Sequence, residues 1–218
     1  MVQKRSKLPK PACEARRRGR PRQYEPDQAL GKAATTFWKR GYAGTSLDDL
    51  VAATGMNRPS LYAAFGDKRD IYLKTLDRYR AQSRAIGAQI IADDPPLRVF
   101  LARFYRAALD IYLADNDEAR GCYSISTAPA QVTTDPLVRA FLAESIRSTD
   151  AFLAARIGKA RERGEIPVRA DPSALAQIAT ATLHTIAVRS RVGASRPELL
   201  ALAEAAIELI CSPTDKRT

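Results

Sequence analysis

The chain is poor in the residues that build metal and redox centres. Its 218 residues include three cysteines, Cys13, Cys122 and Cys211, and one histidine, His184. They stand far apart and give no zinc-ligand spacing. No metal or organic cofactor is expected. The reducing cytoplasm is the expected compartment. No run approaches the roughly 18–20 apolar residues that span a bilayer. The basic N-terminus lacks the apolar segment of a secretory leader, so none is expected. Acids are scarce in one place. Residues 1–22 hold nine Lys and Arg against one acid, Glu14, which is +8 of a total of +11 and leaves +3 for the rest. The body is nearly balanced. Apolar residues make up 45%, enough for a folded protein of one large or two small domains with a buried core.

Residues 1–22 are charged, proline-containing and without periodicity, and are expected to be a disordered basic arm. Within them Arg18-Gly19-Arg20-Pro21-Arg22 resembles the core of an AT-hook. Glycine and proline keep such a strand thin and extended, so that Arg18, Arg20 and Arg22 fit the narrow, strongly negative minor groove of an A·T tract. A tail that only contacts phosphates, adding salt-dependent affinity, is the alternative. Anionic lipid is a third partner for such a tail, but no apolar anchor supports it, and no membrane association is expected.

Two short helices with a tight turn are predicted over Thr45–Lys68. Thr45 is placed to cap the first, with Asp48 three residues on to reach back to the cap. Leu47, Leu50 and Val51 form its apolar face. Gly55 suits the left-handed turn. Asn57 caps the second helix, Pro59 sits in its first turn, and Leu61, Ala64 and Phe65 face inward. Arg58, Ser60 and Tyr62 are left outward near its N-terminal end. This is the layout of a DNA-binding helix-turn-helix.

These residues resemble the DNA-binding region of the TetR family of transcriptional regulators. Its features are Gly41-Tyr42 at a helix end, Thr45-Ser46, the Gly55 turn, Leu61-Tyr62-Ala63-Ala64-Phe65, and Lys68 at the start of the next helix. The match spans roughly residues 24–72. It implies an N-terminal helix-turn-helix domain over 23–70, a helical effector-binding and dimerisation domain over 71–212, and a short tail, 213–218. It also implies double-stranded DNA as partner, a homodimer through the last two helices, and an unidentified small-molecule effector. Thr45, Tyr62 and Lys68 match positions that hold DNA phosphates in the family. Helix N-termini at Thr45 and Lys68 suit that role.

The remaining chain punctuates into helices, and about nine are predicted in an all-α fold. The first runs from Pro26 to about Arg40, with Leu30, Ala33, Ala34, Phe37 and Trp38 inside; Trp38 is expected in the core. Asp67 and Asp70 open a fourth helix reaching about Ile91. Asp93-Asp94-Pro95-Pro96 breaks the chain. A fifth helix runs from Leu97 to about Ala114 and is closed by Asp115-Asn116-Asp117. A short sixth lies in Arg120–Ala128, and its Gly-Cys start resembles an element of some TetR-type effector domains. Asp135-Pro136 opens a seventh helix that stops at Gly164, Asp171-Pro172 an eighth, and Pro197 a ninth.

Asn57, Arg58 and Ser60 are the candidates for base edges. A guanidinium matches guanine O6 and N7 bidentately; a phosphate contact is the other reading for Arg58. By the family resemblance, an apolar pocket is expected among the fourth to eighth helices, lined by Phe104, Cys122, Tyr123, Phe141 and His184. Cys122 reads either as a redox or metal sensor beside Arg120 or as a small buried apolar residue. His184 has no paired carboxylate at helical spacing, so a packed histidine is favoured over a general base. No catalytic constellation is found, and no enzyme is expected. The expected function is a homodimeric, sequence-specific transcriptional regulator, most simply a ligand-responsive repressor. The rivals are an architectural A·T-tract binder acting through the arm and a helical small-molecule enzyme or carrier.

Overall fold

A computed structural model describes residues 25–113 and 120–211 of the chain, and among them every regular element is helical. The elements are α1 (Pro26–Arg40), α2 (Leu47–Thr54), α3 (Arg58–Phe65), α4 (Lys68–Ile90), α5 (Leu97–Tyr112), α6 (Tyr123–Thr127), α7 (Pro136–Glu162), α8 (Pro172–Arg191) and α9 (Arg196–Cys211), with a 3-10 turn at Pro129–Gln131. Most of their starts carry a side-chain oxygen that satisfies an otherwise unpaired amide. Asn57, Asp67, Asp135 and Asp171 accept from backbone N–H groups at the starts of α3, α4, α7 and α8. Asp67 and Asp70 form the reciprocal box expected for α4.

The cap of α2 departs from the expectation by one residue. Ser46, not Thr45, accepts from the Asp49 amide at 3.1 Å, and Asp49, not Asp48, reaches back to the Ser46 amide at 2.8 Å. Thr45 instead gives its hydroxyl proton to the Gly41 carbonyl at 2.7 Å and is buried in the α1–α2 corner. The fifth helix ends at Tyr112, two residues earlier than expected. The sixth is a single turn followed by the 3-10 segment. The expected closing run Asp115-Asn116-Asp117 and the tail lie outside the described residues.

Two cores form. The first gathers Ala29, Ala33, Phe37 and Trp38 of α1, Leu50, Met56, Leu61 and Phe65 of the α2–α3 segment, and Ile71, Tyr72 and Leu76 of α4. It is closed by Tyr123, Ala128, Val138 and Phe141 from beyond residue 120. The second is built from α5, α7, α8 and α9. The first two turns of α4 therefore pack into the first core.

Polar groups bind the two halves together. Thr75 donates to the Tyr72 carbonyl at 2.6 Å and Thr127 to the Tyr123 carbonyl at 2.8 Å, so each hydroxyl has spent its only proton. The tyrosines must then donate across: Tyr123 to Thr75 at 2.7 Å, and Tyr72 to Thr127 at 2.8 Å. Burial pushes the Tyr72 phenol up to about 12 and the Tyr123 phenol higher, so both keep the protons these bonds need. The Trp38 indole donates to the Arg120 carbonyl at 2.9 Å, and Arg191 of α8 donates to the same oxygen at 3.0 Å. Arg69 of α4 grips Asp135 with two bonds of 2.5 and 2.8 Å.

Asp135 thus both caps α7 and clamps α4. The Arg69 guanidinium, helped by the Val138 and Leu137 amides, holds its carboxyl down at about 2. A depressed carboxyl contributes stability that is complete above the ordinary range near pH 4 and is lost as pH falls towards 2. Asp135→Asn keeps a capping oxygen and removes the charge. It is expected to lower the urea midpoint at pH 7, with the difference from the parent shrinking between pH 4 and pH 2. Equal differences at pH 7 and pH 2 would show that the ion pair contributes nothing.

Candidate nucleic-acid interface and internal cavity

Gly55 turns the chain between α2 and α3 at φ +72°, a left-handed conformation that costs a side-chain-bearing residue about 1–2 kcal/mol. Asn57 then accepts from the Ser60 amide at 2.9 Å, which uses its carbonyl oxygen and leaves its amide NH2 for outside contact. Leu61 and Phe65 pin the helix to the first core. Their spacing settles what faces out: Arg58 and Tyr62 are exposed and Ser60 is half-buried. Arg58 and Tyr62, four residues apart, therefore share one side of α3, while Ser60, two residues from each, lies off that side.

Arg58 is not idle in this conformation. Its Nη2 and Nε lie 2.6 and 3.2 Å from Oδ1 of Asp48 on α2, with both side chains exposed to water. Lys68, the first residue of α4, stands with Nζ 4.4 Å from the centre of the Tyr42 ring, and partial burial lowers its pKa. Lys74 caps the other end of α3 by donating to the Phe65 carbonyl at 2.7 Å. In this conformation the buried Thr45 hydroxyl is donated to the Gly41 carbonyl, and the exposed Ser46 hydroxyl to Asp49 Oδ2 at 2.7 Å. Arg18, Arg20 and Arg22 lie outside the described residues.

A cavity of about 410 Å³ opens between α4, α5, α6, α7 and α8. Of the five candidate pocket residues, Phe104, Cys122, Phe141 and His184 line it and Tyr123 does not. In the single turn of α6 the chain presents Ser124 and Ile125, together with the capping Cys122, to the cavity. Tyr123 points the other way. Its ring packs 5.3 Å from Trp38, 5.7 Å from Tyr79 and 6.3 Å from Tyr72, wholly inside the first core. The Cys122 sulfur accepts from the Tyr79 hydroxyl at 3.4 Å and lies 3.3 Å from Ser124 Oγ. Burial pushes the Tyr79 phenol well above its ordinary value and lowers the His184 pKa, the latter opposed by Asp150; the imidazole is neutral at pH 7. Arg80, Arg84, Ser145, Ser148, Thr149 and Phe152 also line the cavity and were not foreseen. The polar residues among them carried one signal, hydroxyls interrupting the apolar stripe of α7.

A helix-turn-helix with a polar outward helix face, joined to a helical domain that encloses a cavity, defines a DNA-binding protein. The family model described as "Bacterial regulatory proteins, tetR family" matches residues 29–75, and "Tetracyclin repressor-like, C-terminal domain" matches residues 99–207. The HTH-type transcriptional repressor ComR of Escherichia coli K12 is 32% identical over 202 residues, covering 90% of this chain and 94% of ComR. The HTH-type transcriptional regulator YezE of Bacillus subtilis 168 is 30% identical over 149 residues, covering 68% and 76%. A cysteine mutant of the regulator CifR, solved with 26-bp operator DNA, aligns with a TM-score of 0.77 at 28% identity, over 87% of this chain and 98% of that one. The chain belongs to the TetR family of transcriptional regulators, and these relatives are regulators rather than enzymes.

The Asp48–Arg58 pair puts a carboxylate beside the surface expected to meet phosphates. Asp48→Asn removes that repulsion and frees the guanidinium. Binding to any duplex is expected to tighten by several-fold, measured by fluorescence anisotropy at fixed salt. Weaker binding to every sequence would mean that Asp48 positions Arg58 instead.

Proposed function

We propose that the protein is a ligand-responsive repressor that binds an inverted-repeat operator as a homodimer. The observation that carries this is the exposed N-terminal face of α3, in a chain whose near full-length relative is a repressor and whose structural relative was solved on operator DNA. In this reading Asn57, Arg58 and Ser60 meet base edges. Tyr62, Lys68 and the α2 start at Thr45 meet phosphates, fixing register without reading sequence. Residues 1–22 form an arm that adds affinity or flanking A·T preference, 23–70 the DNA-binding domain, and 71–212 the effector and dimerisation domain.

Exposed apolar side chains on the last two helices support a self-interface there. Ile178 and Val188 of α8 and Leu209 of α9 are open to water, and an isologous pairing through them suits a protein that reads inverted half-sites. The two-sided α6 supports ligand control. It touches the cavity through Ser124 and Ile125 and the DNA-binding core through Tyr123 and Thr127. An occupant that shifts α6 acts directly on the bonds that seat α4. It releases DNA only by as much as it prefers the released state: a swing from 1:99 to 99:1 needs about 10⁴-fold preference.

Selection of bound sequences from random duplex DNA tests the reading, using the full chain and a chain lacking residues 1–22. An enriched inverted repeat with both is expected. Enrichment of A·T tracts by the full chain alone would move function to the arm. Arg58→Ala is expected to weaken binding to the selected repeat by roughly tenfold or more, since a bidentate base contact discriminates by about 1–3 kcal/mol, with bulk DNA little changed. Equal loss on both would make Arg58 a phosphate contact.

A further inference from the structure

The wall of the cavity carries charge of one sign. Arg80 and Arg84, one turn apart on the same face of α4, both line it. Among the described residues that line it none is an Asp or Glu, and His184 is neutral at pH 7. Asp77 pairs with Arg80 at 2.6 Å on the surface of α4, and Asp150, which acts on His184 and whose Oδ1 is buried without a hydrogen-bond partner, is not part of the wall. Arg84 is exposed and has no acidic partner among the described residues. The Arg80 guanidinium lies 4.8 Å from the centre of the Phe141 ring, which fixes it at one end of the space.

The hydroxyls of α7 are not free to donate. Ser145 donates to the Phe141 carbonyl at 2.9 Å, and Ser148 and Thr149 both donate to the Ser145 carbonyl, at 3.2 and 2.9 Å. Their protons are spent within α7, which leaves the guanidinia of α4 as the charged donors in the wall. Further along, the surface turns apolar. Phe104 and Phe152 stand 6.4 Å apart, Leu183 completes the side, and the Phe152 ring packs beside Gly87 of α4.

We infer that this cavity binds an amphipathic organic monoacid, with its carboxylate at Arg80 and Arg84 and its apolar body against Phe104, Phe152 and Leu183. The inference rests on the proposed reading only in taking this cavity as a ligand site; whether its occupant releases DNA is read separately. A guanidinium is the side chain best matched to a carboxylate, being planar, always charged and weakly hydrated. A cationic ligand would meet the Arg84 charge with no acid in the wall to answer it, and a neutral one would leave that guanidinium unused. A volume of about 410 Å³ equals roughly 14 water-sized volumes at about 30 Å³ each, room for about a dozen non-hydrogen atoms.

Decanoate, 1-decanol and decyltrimethylammonium present one apolar body with three heads. Their binding to the full chain is measured by calorimetry, and their effect on the protein bound to its selected duplex by anisotropy. Decanoate is expected to bind at least tenfold more tightly than the alcohol, and the ammonium more weakly than both. Arg84→Gln, at an exposed position that leaves the fold intact, is expected to weaken decanoate about fivefold or more and leave decanol unchanged. Ser148→Trp, which fills the space, is expected to abolish binding of decanoate. Equal binding of acid and alcohol, tighter binding of the ammonium, equal loss of acid and alcohol in Arg84→Gln, undiminished binding in Ser148→Trp, or no binding of decanoate would each overturn the inference. Decanoate that binds this way without releasing DNA leaves the inference standing and removes the effector role. An alcohol or ammonium that outbinds decanoate and releases DNA keeps the effector role and removes the acid.

Discussion

The fold depends on four buried hydroxyls that have no water to turn to. Tyr72, Thr75, Tyr123 and Thr127 sit where α6 meets α4, and an unpaired hydroxyl there would cost about 1–3 kcal/mol. Both threonines surrender their protons to their own backbone, which leaves one arrangement in which all four are satisfied. That requirement fixes the position of α6 on α4 more sharply than apolar packing alone, because ring contacts tolerate sliding and hydrogen bonds do not. Everything on either side inherits the constraint: the cavity wall is the other face of the same turn, and the DNA-binding core closes over Tyr123.

The helices were legible because their ends are written in local chemistry. Asp67, Asp135-Pro136 and Asp171-Pro172 each place a short acceptor just ahead of a helix, and Gly55 marks the left-handed turn between α2 and α3. The cap of α2 was ambiguous for the same reason that it is strong. Thr45-Ser46 and Asp48-Asp49 offer the same box twice, one residue apart, and local spacing ranks neither. The Gly41 carbonyl decides by taking the Thr45 hydroxyl, and that oxygen belongs to the preceding helix corner. Tyr123 was misplaced because a five-residue helix has no periodicity from which to read its faces. Cys122, next to it, was placed correctly, so the error lies in orientation and not in location. The cavity arginines carried no mark at all. On α4 a lysine or arginine every few residues reads as a wet helix face, and only the gap between α4 and α7 turns two of them into a wall.

The long helix α4 therefore has three environments along its length. Its start is held by Asp67 and by the Arg69–Asp135 clamp, its second and third turns are locked to α6, and its later turns border open space. A rigid rod held at its first turns and free along one side transmits displacement without unfolding. Rearrangement at the cavity end needs no loss of the helix's own hydrogen bonds, which keeps the energetic scale of such a change to the few contacts made by α6.

The pairing of Arg58 with Asp48 has a further consequence for discrimination. A guanidinium that already holds a carboxylate enters an encounter with DNA as part of a neutral pair, so it adds little to the indiscriminate pull of the phosphates. In the proposed reading, a base edge presenting two aligned acceptors competes for the guanidinium better than a single passing phosphate oxygen. The aspartate would then be an internal competitor against which each stretch of DNA is weighed, a modest one because both side chains are exposed.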